Sequence, residues 1–350
     1  MAKFIKSKGP GLLDQEFRAQ ELRLRKRGIL VLDEIVNWEL FRTVVEGAVV
    51  KEWKGNQGRP MFPPLKMFKV LVIQNYYHLS DERMEDMLLD SESFKVFAGF
   101  GYSDTLPDQK TIWRFREQLQ KAGVFEEVFR LLHQLLEKSN IVGRAGVIVD
   151  ATFVEVPRQH KLSEEKEKIE KGEIPEKLLK CPKVLRQKDL EARWSVKNNE
   201  SYFGYKAHIK VDLATKLVIA EAMTPANVHD SQMIVSLVEV GDQKVFADKA
   251  YRGDEISHQI RMKNVIPLIH EKGYRGHSLQ PYQHEINKML STFRARVEHV
   301  FGDVVVGMQG FTCRYIGEAR VHAATQLRLL LYNVRRLGQM KLTTALLAEI

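Results

Sequence analysis

At Gly143 the hydrophobic pattern of the chain changes period, and no single-class fold accommodates both halves. Before it, apolar residues recur at helical spacing: Val124, Phe125, Val128, Leu131, Leu132, Leu135 and Leu136 share one face of VFEEVFRLLHQLLEKSN, and LKMFKVLVIQNYYHL repeats the pattern. After it, AGVIVDATFVEV is dense in β-branched residues and SYFGYKAHIKVD alternates with period two. KLVIAEAMT, KVFADKAY and NVIPLI complete five expected strands, interspersed with helical patterns in DSQMIVSLVEV, DEISHQIRMK and EINKML through ARVEHVFGDV. The first three strands lie close enough for an antiparallel meander, and the fourth and fifth each follow a helix. The expected organisation is a basic extension over 1–60, an all-α module over 61–140, a mixed α/β domain over 141–310 and a C-terminal helical segment over 311–350.

Local signals sharpen these boundaries. Ser80 or Asp81 is placed to cap DERMEDMLLD, Asp108 to cap QKTIWRFREQLQKAG, and Gly123 to close that helix. Residues 155–200 hold 12 Lys/Arg and 10 Asp/Glu and are too polar for core, so they read as an inserted, partly helical surface loop. No apolar run reaches the roughly 18 to 20 residues of a membrane span, and the first residues lack the apolar stretch of a signal peptide, so a cytoplasmic protein is expected. Cys181 and Cys313 match neither a disulfide framework nor a zinc spacing and read as free thiols.

Charge points to the partner. Lys+Arg 54 against Asp+Glu 45 gives +9, a bias that suits a polyanion such as nucleic acid, and the excess gathers at the two ends of the chain. Eight basic residues lie between Lys3 and Arg27, and six between Arg314 and Lys341. Within the helical module, Lys110, Arg114 and Arg116 stand beside Trp113 and Phe115. That pattern suits a groove-reading helix of a helix-turn-helix, and equally the basic solvated face of a three- or four-helix bundle.

Three acids occupy strand or helix positions that a common edge would present together: Asp150 closing VIVD, Asp248 closing KVFAD, and Glu298 on FRARVEHVF. Gathered carboxylates repel unless a cation compensates them, and three hard oxygen donors suit Mg²⁺ or Mn²⁺. Taken singly, each also reads as a cap, a turn residue or a solvated helix face.

The whole pattern resembles the DDE transposases of bacterial insertion sequences, in particular the insertion-sequence-five family with its ribonuclease H-like catalytic core. The resemblance runs through FPPLKMFKVLVIQNYYHLSDERMEDMLLD, FAGFG and LPDQKTIWRFRE of the helical part. It continues through VIVDATFVE, YFGYKAHIKVD, ANVHDS, ADKAYRG and RARVEHVFG of the core. It implies a ribonuclease H-like domain with a five-stranded mixed sheet and flanking helices, preceded by an all-α DNA-binding module. It also implies Asp150, Asp248 and Glu298 as the catalytic, metal-binding acids. The activity implied is Mg²⁺-dependent nicking at terminal inverted repeats and transfer of the 3′-OH end to target DNA, with Mn²⁺ able to substitute. The partners implied are DNA and further copies of the chain, as a dimer or higher oligomer at the nucleoid, with no membrane. The related signature Y-x2-R-x3-E-x6-K is half met: Arg294 and Glu298 are present, but Ser291 stands for the Tyr and Val305 for the Lys.

Arg294 and Arg296 are candidates to hold a phosphate near the metals, and Arg252, in the same motif as Asp248, joins the DNA-contact set. Strand periodicity puts Lys206 and His208 on one polar face with Lys210 and Asp212, which reads either as a solvated face or as DNA contacts beside Asp150. Trp194 is placed to pack its loop or to stack on an unpaired base. His229 is weighed as an active-site residue, Asp230 as a helix cap and His299 as a support to the acids. The rival functions are a DNA-binding protein without catalysis and a ribonuclease H-like nuclease that cuts but does not join.

Overall fold

The computed structural model describes residues 14–24, 28–49, 60–159, 163–273 and 276–343. Most of the basic N-terminal cluster, Lys3, Lys6, Lys8 and Arg25 to Arg27, lies outside them. The helical part opens with α1 (Asp14–Leu24), α2 (Val31–Ile35) and α3 (Arg42–Val49). Residues 28–49, expected as part of an extension, instead contribute Ile29, Leu32, Phe41 and Val45 to the core, each no more than 2% exposed.

Next come α4 (Pro64–Tyr76), α5 (Asp81–Asp90), α6 (Glu92–Ala98), α7 (Gln109–Lys121) and α8 (Val124–Lys138). Their ends are set by the expected chemistry. Ser80 Oγ accepts from Arg83 N at 3.1 Å, Asp108 Oδ1 accepts from Thr111 N at 2.7 Å, and Gly123 turns left-handed between α7 and α8.

The α/β part holds six strands: β1 (Val147–Glu155), β2 (Arg193–Lys197), β3 (Glu200–Asp212), β4 (Val218–Pro225), β5 (Lys244–Ala247) and β6 (Ile266–Ile269). β3 pairs antiparallel with β1, β2 and β4, while β5 runs parallel to β1 and β6 parallel to β5. With β2 set aside, the order β4-β3-β1-β5-β6 is the ribonuclease H-like arrangement that the motifs imply. The sixth strand comes from the polar insertion, which also carries α9 (Ser163–Glu170), α10 (Glu176–Leu179) and α11 (Pro182–Leu185). Gly204 of β3 pairs with both Glu155 of β1 and Arg193 of β2: at φ +147° it brings Val154 O to 2.2 Å from where a Cβ would stand, so no other residue fits without moving β1.

The crossover helices are α12 (Ser231–Leu237) and α13 (Asp254–Met262), followed by α14 (Pro281–Met308) and α15 (Glu318–Gln339). α15 binds the two parts together. It packs against α2, α4 and α8 on one side and β4 on the other, burying Val321, Leu329, Leu331 and Val334. Three of the C-terminal basic residues, Arg320, Arg328 and Arg335, are held inside the scaffold. Arg320 pairs with Glu117 at 2.7 Å, Arg335 pairs with Asp303 at 3.1 Å, and Arg328, 5% exposed, donates to Gly310 O and Thr312 O. No helix among the described residues is long and apolar enough to cross a membrane.

Candidate active site

Register brings the first two acids together. Val147 pairs with Val245 and Ile148 with Phe246 on parallel strands, and continuing two residues puts Asp150 level with Asp248, one strand spacing away. Phe293 packs tilted against Phe246 with ring centroids 4.9 Å apart, and Val297 and Val300 are buried, so α14 lies across β5 and β1 with Arg294 and Glu298 one turn apart. Arg294 then bridges. Its Nη1 donates to Asp150 Oδ2 at 3.1 Å and its Nη2 to Glu298 Oε1 at 2.9 Å.

The electrostatics mark a shortage of positive charge. Burial raises the Asp150 carboxyl above its ordinary range, the Ala151 N–H and Arg294 oppose the rise, and the charge of Asp248 adds to it. Asp248 Oδ1 accepts from Lys249 N at 2.5 Å and opens a 3₁₀ turn, Lys249–Tyr251. Among the described residues no three His, Cys, Asp or Glu side chains stand close enough to hold a metal ion. The donor set nonetheless fits a hard divalent cation: two side-by-side carboxylates, one of them buried, and a third reached through the single guanidinium between them.

Sequence reasoning missed Tyr251. It is 1% exposed, its hydroxyl has no hydrogen-bond partner, and burial, then Asp150, Asp230 and Asp248, raise the phenol far above its usual range. Its signal was its place in ADKAYRG, one 3₁₀ turn after Asp248.

The other expected residues divide. Lys110 and Arg114 are exposed on α7 with Trp113 between them, 46% exposed. Arg116 is turned inward, ion-paired with Asp81 at 2.5 Å and set over the Tyr315 ring, which removes it from any DNA-facing set. Lys206 and His208 are also corrected. Asp150 pairs with Ile209, so residues 206 and 208 point to the opposite face of the sheet. There α12 and the strand-end loops cover them, so the face is not solvated either. Lys206 Nζ meets Asp230 at 2.8 Å, and His208, 0% exposed, shares a hydrogen bond with Thr224 at 2.8 Å. Asp230 therefore makes an ion pair and no cap, while His229 is exposed against Ser231.

Trp194 lies on β2, 42% exposed, tilted against Phe203 with Arg158 over its ring. Arg252 pairs with Glu271 at 2.9 Å, and Arg296 donates to Leu213 O at 2.5 Å. At the signature Tyr position, Ser291 Oγ donates to Asn287 O and shares a bond with His270, which tethers α14 to the end of β6; Val305 is 55% exposed. Cys181 and Cys313 are free.

Comparison with known proteins places the chain in a family. Residues 142–334 match the family described as "Transposase DDE domain", and residues 18–118 match "Transposase domain (DUF772)". Among solved structures, the chain is similar to the piggyBac transposase synaptic complex with hairpin DNA, determined by cryo-electron microscopy. The identity is 8%, the alignment covers 98% of this chain and 81% of that one, and the TM-score is 0.44.

Proposed function

The chain belongs to the transposase DDE domain family, and from that premise we propose that Asp150, Asp248 and Glu298 are its three metal-binding acids. As a member it is a DNA transposase, an enzyme that cuts and joins DNA strands with a divalent metal cofactor. The finer reading is a Mg²⁺ enzyme of the insertion-sequence-five type, with Mn²⁺ able to substitute, working at the nucleoid as a dimer or higher oligomer on the terminal inverted repeats of its own element. The observation that carries the site assignment is the bridge from Asp150 to Glu298 through Arg294, with Asp248 on the neighbouring strand.

When bound, the divalent cation supplies activation of the attacking oxygen and stabilisation of the charge at phosphorus. The chain supplies the rest. Asp150 presents hard oxygens from the middle of β1 and Asp248 from just past the end of β5, and Glu298 presents a third from a helix anchored by Phe293 and Val297. Arg294 balances Asp150 and Glu298 in the metal-free protein, and its guanidinium is free to turn to a DNA phosphate once a cation takes over that balance. Lys110, Trp113 and Arg114, exposed together on α7, offer the helical module a basic face for the backbone of the element's end.

The test is incubation of the protein with Mg²⁺ and a duplex bearing the element's end, with a second duplex as target, followed by sequencing of the products. Nicking at the end and joining of its 3′-OH to the target are expected, both abolished by EDTA. Binding without cutting would leave a DNA-binding protein; cutting without joining would leave a nuclease.

A further inference from the structure

The β3–β4 turn, residues 213–217, is gripped from two helices. Arg296 of α14 donates to Leu213 O at 2.5 Å, and Arg336 of α15 donates to Thr215 O at 2.7 Å. Tyr332 donates to Lys216 O at 2.8 Å. Lys216 takes φ +63° at the end of the turn, and its ammonium meets His299 Nδ1 at 2.7 Å.

Three permanent cations and an imidazole thus surround one turn, and the charges are not balanced there. Arg42, Arg116, Arg144, Arg294, Arg320 and Arg335 each have a carboxylate partner. Among the described residues Lys216, Arg296 and Arg336 have none; their partners are carbonyls, His299 and Gln339. The one carboxylate inside the hairpin end, Asp212, is 1% exposed and accepts from Thr215 N and Oγ1. Burial, then Arg336 and Arg296, hold the Lys216 ammonium below its ordinary range, as expected of crowded like charges. Both guanidiniums keep unused N–H donors, and all four side chains reach the surface.

Their position ties them to the acids. Arg296 lies two residues before Glu298 on α14 and His299 one after it, both turned off the face that Glu298 shares with Arg294, and Leu213 N donates to Gly146 O at the entrance of β1, four residues before Asp150. We propose that Lys216, Arg296, Arg336 and His299 form a phosphate clamp that holds the DNA backbone beside the strand being cut. The clamp rests on the assignment of Asp150, Asp248 and Glu298 for its place beside the cut strand, but its binding is measured without cutting.

The experiment titrates the full chain into a fluorescent duplex in EDTA at several KCl concentrations. Lys216→Asn removes the charge while keeping a residue that tolerates positive φ, Arg336→Gln removes a second charge, and Lys216→Arg keeps it. Each neutral variant should lower affinity and make the slope of log K against log[KCl] shallower by about 0.9, whereas Lys216→Arg and the distant Lys171→Asn should match the unmutated protein. Circular dichroism and the thermal midpoint report folding, and if Arg336→Gln unfolds, Lys216→Asn decides alone. A folded Lys216→Asn protein with the unmutated slope, or an equal loss in Lys171→Asn, overturns the clamp. Neither result bears on metal-dependent nicking, which is read separately.

Discussion

Arg294 Nη1 lies 3.1 Å from Asp150 Oδ2, joining the middle of α14 to the middle of β1 across 144 positions of chain. This guanidinium is ion-paired with a half-buried carboxylate that also feels Asp248. Arg294→Gln should therefore lower stability by about 1–3 kcal/mol, the usual cost of a buried polar group left without its partner. Mg²⁺ or Mn²⁺ should restore the thermal midpoint, and raise it more than in the unmutated protein, because the cation no longer competes with Arg294. An unchanged midpoint in Arg294→Gln would show that Asp150 does not depend on this pair.

Asp150→Asn and Glu298→Gln keep size and hydrogen-bonding capacity but remove a charge from the proposed metal site. Nicking of an end-bearing duplex should fall by orders of magnitude while DNA binding stays level or tightens, since less negative charge faces the phosphates. Cleavage by Asp150→Asn at the unmutated rate would sink the assignment.

What the sequence made legible follows from periodicity. The five strands, the helix caps at Ser80 and Asp108 and the strand-end position of Asp248 all rest on local patterns, and each is found, whereas Asp150, expected to close its strand, stands in the middle of β1, because the β-branched run continues to Glu155. Period two also grouped Lys206, His208 and Lys210 correctly, but which face α12 covers is decided by the crossover and not by the strand itself. β2 was missed because RWSVK is short, polar and largely exposed, and its pairing with β3 is a tertiary fact. Arg116 was misplaced because its partner, Asp81, lies on another helix. The pairing of Arg320 with Glu117 is likewise hidden from local pattern, because the two lie 203 positions apart.

The two arginines of α7 should separate. Arg114→Ala should leave stability unchanged and make the salt slope of DNA binding shallower by about 0.9. Arg116→Ala should leave that slope alone but lower stability by roughly 2–3 kcal/mol, because Asp81 loses its bidentate partner in a part-buried site. Urea unfolding beside anisotropy titration reads both, and a swap of the two phenotypes would reverse the orientation assigned to α7.

His208 gives the protein an acid-sensitive point. Burial lowers its imidazole to about 4, with Asp230 opposing and Lys206 assisting. The unfolded chain then binds the proton between about pH 6.5 and 4 and the folded chain does not, so stability is full above the unfolded value and is lost as pH falls through this window. The loss expected from this residue is on the order of 3 kcal/mol. His208→Gln, which cannot titrate, should flatten the stability curve between pH 6.5 and 4 in urea melts; an unchanged slope there would remove His208 as its cause.

Lys210 lies beneath the sheet with its side chain 0% exposed, 3.2 Å from the equally buried Asp242 and 3.0 Å from Glu239. Glu239 continues to Arg144, which reaches Glu137 on α8, so the pair ends a chain of charges that crosses from β3 to the helical part. Lys210→Met strands Asp242 without its cation and should cost about 3–5 kcal/mol. Asp242→Asn should cost less, because Lys210 keeps Glu239. The double variant buries no charge at this point, so it should be more stable than Lys210→Met alone, with a coupling of about 2 kcal/mol or more between the two sites. Denaturant unfolding of the four proteins measures that coupling. Strict additivity would mean that the two groups do not interact and that β3 is held against the loop at 238–243 by packing alone.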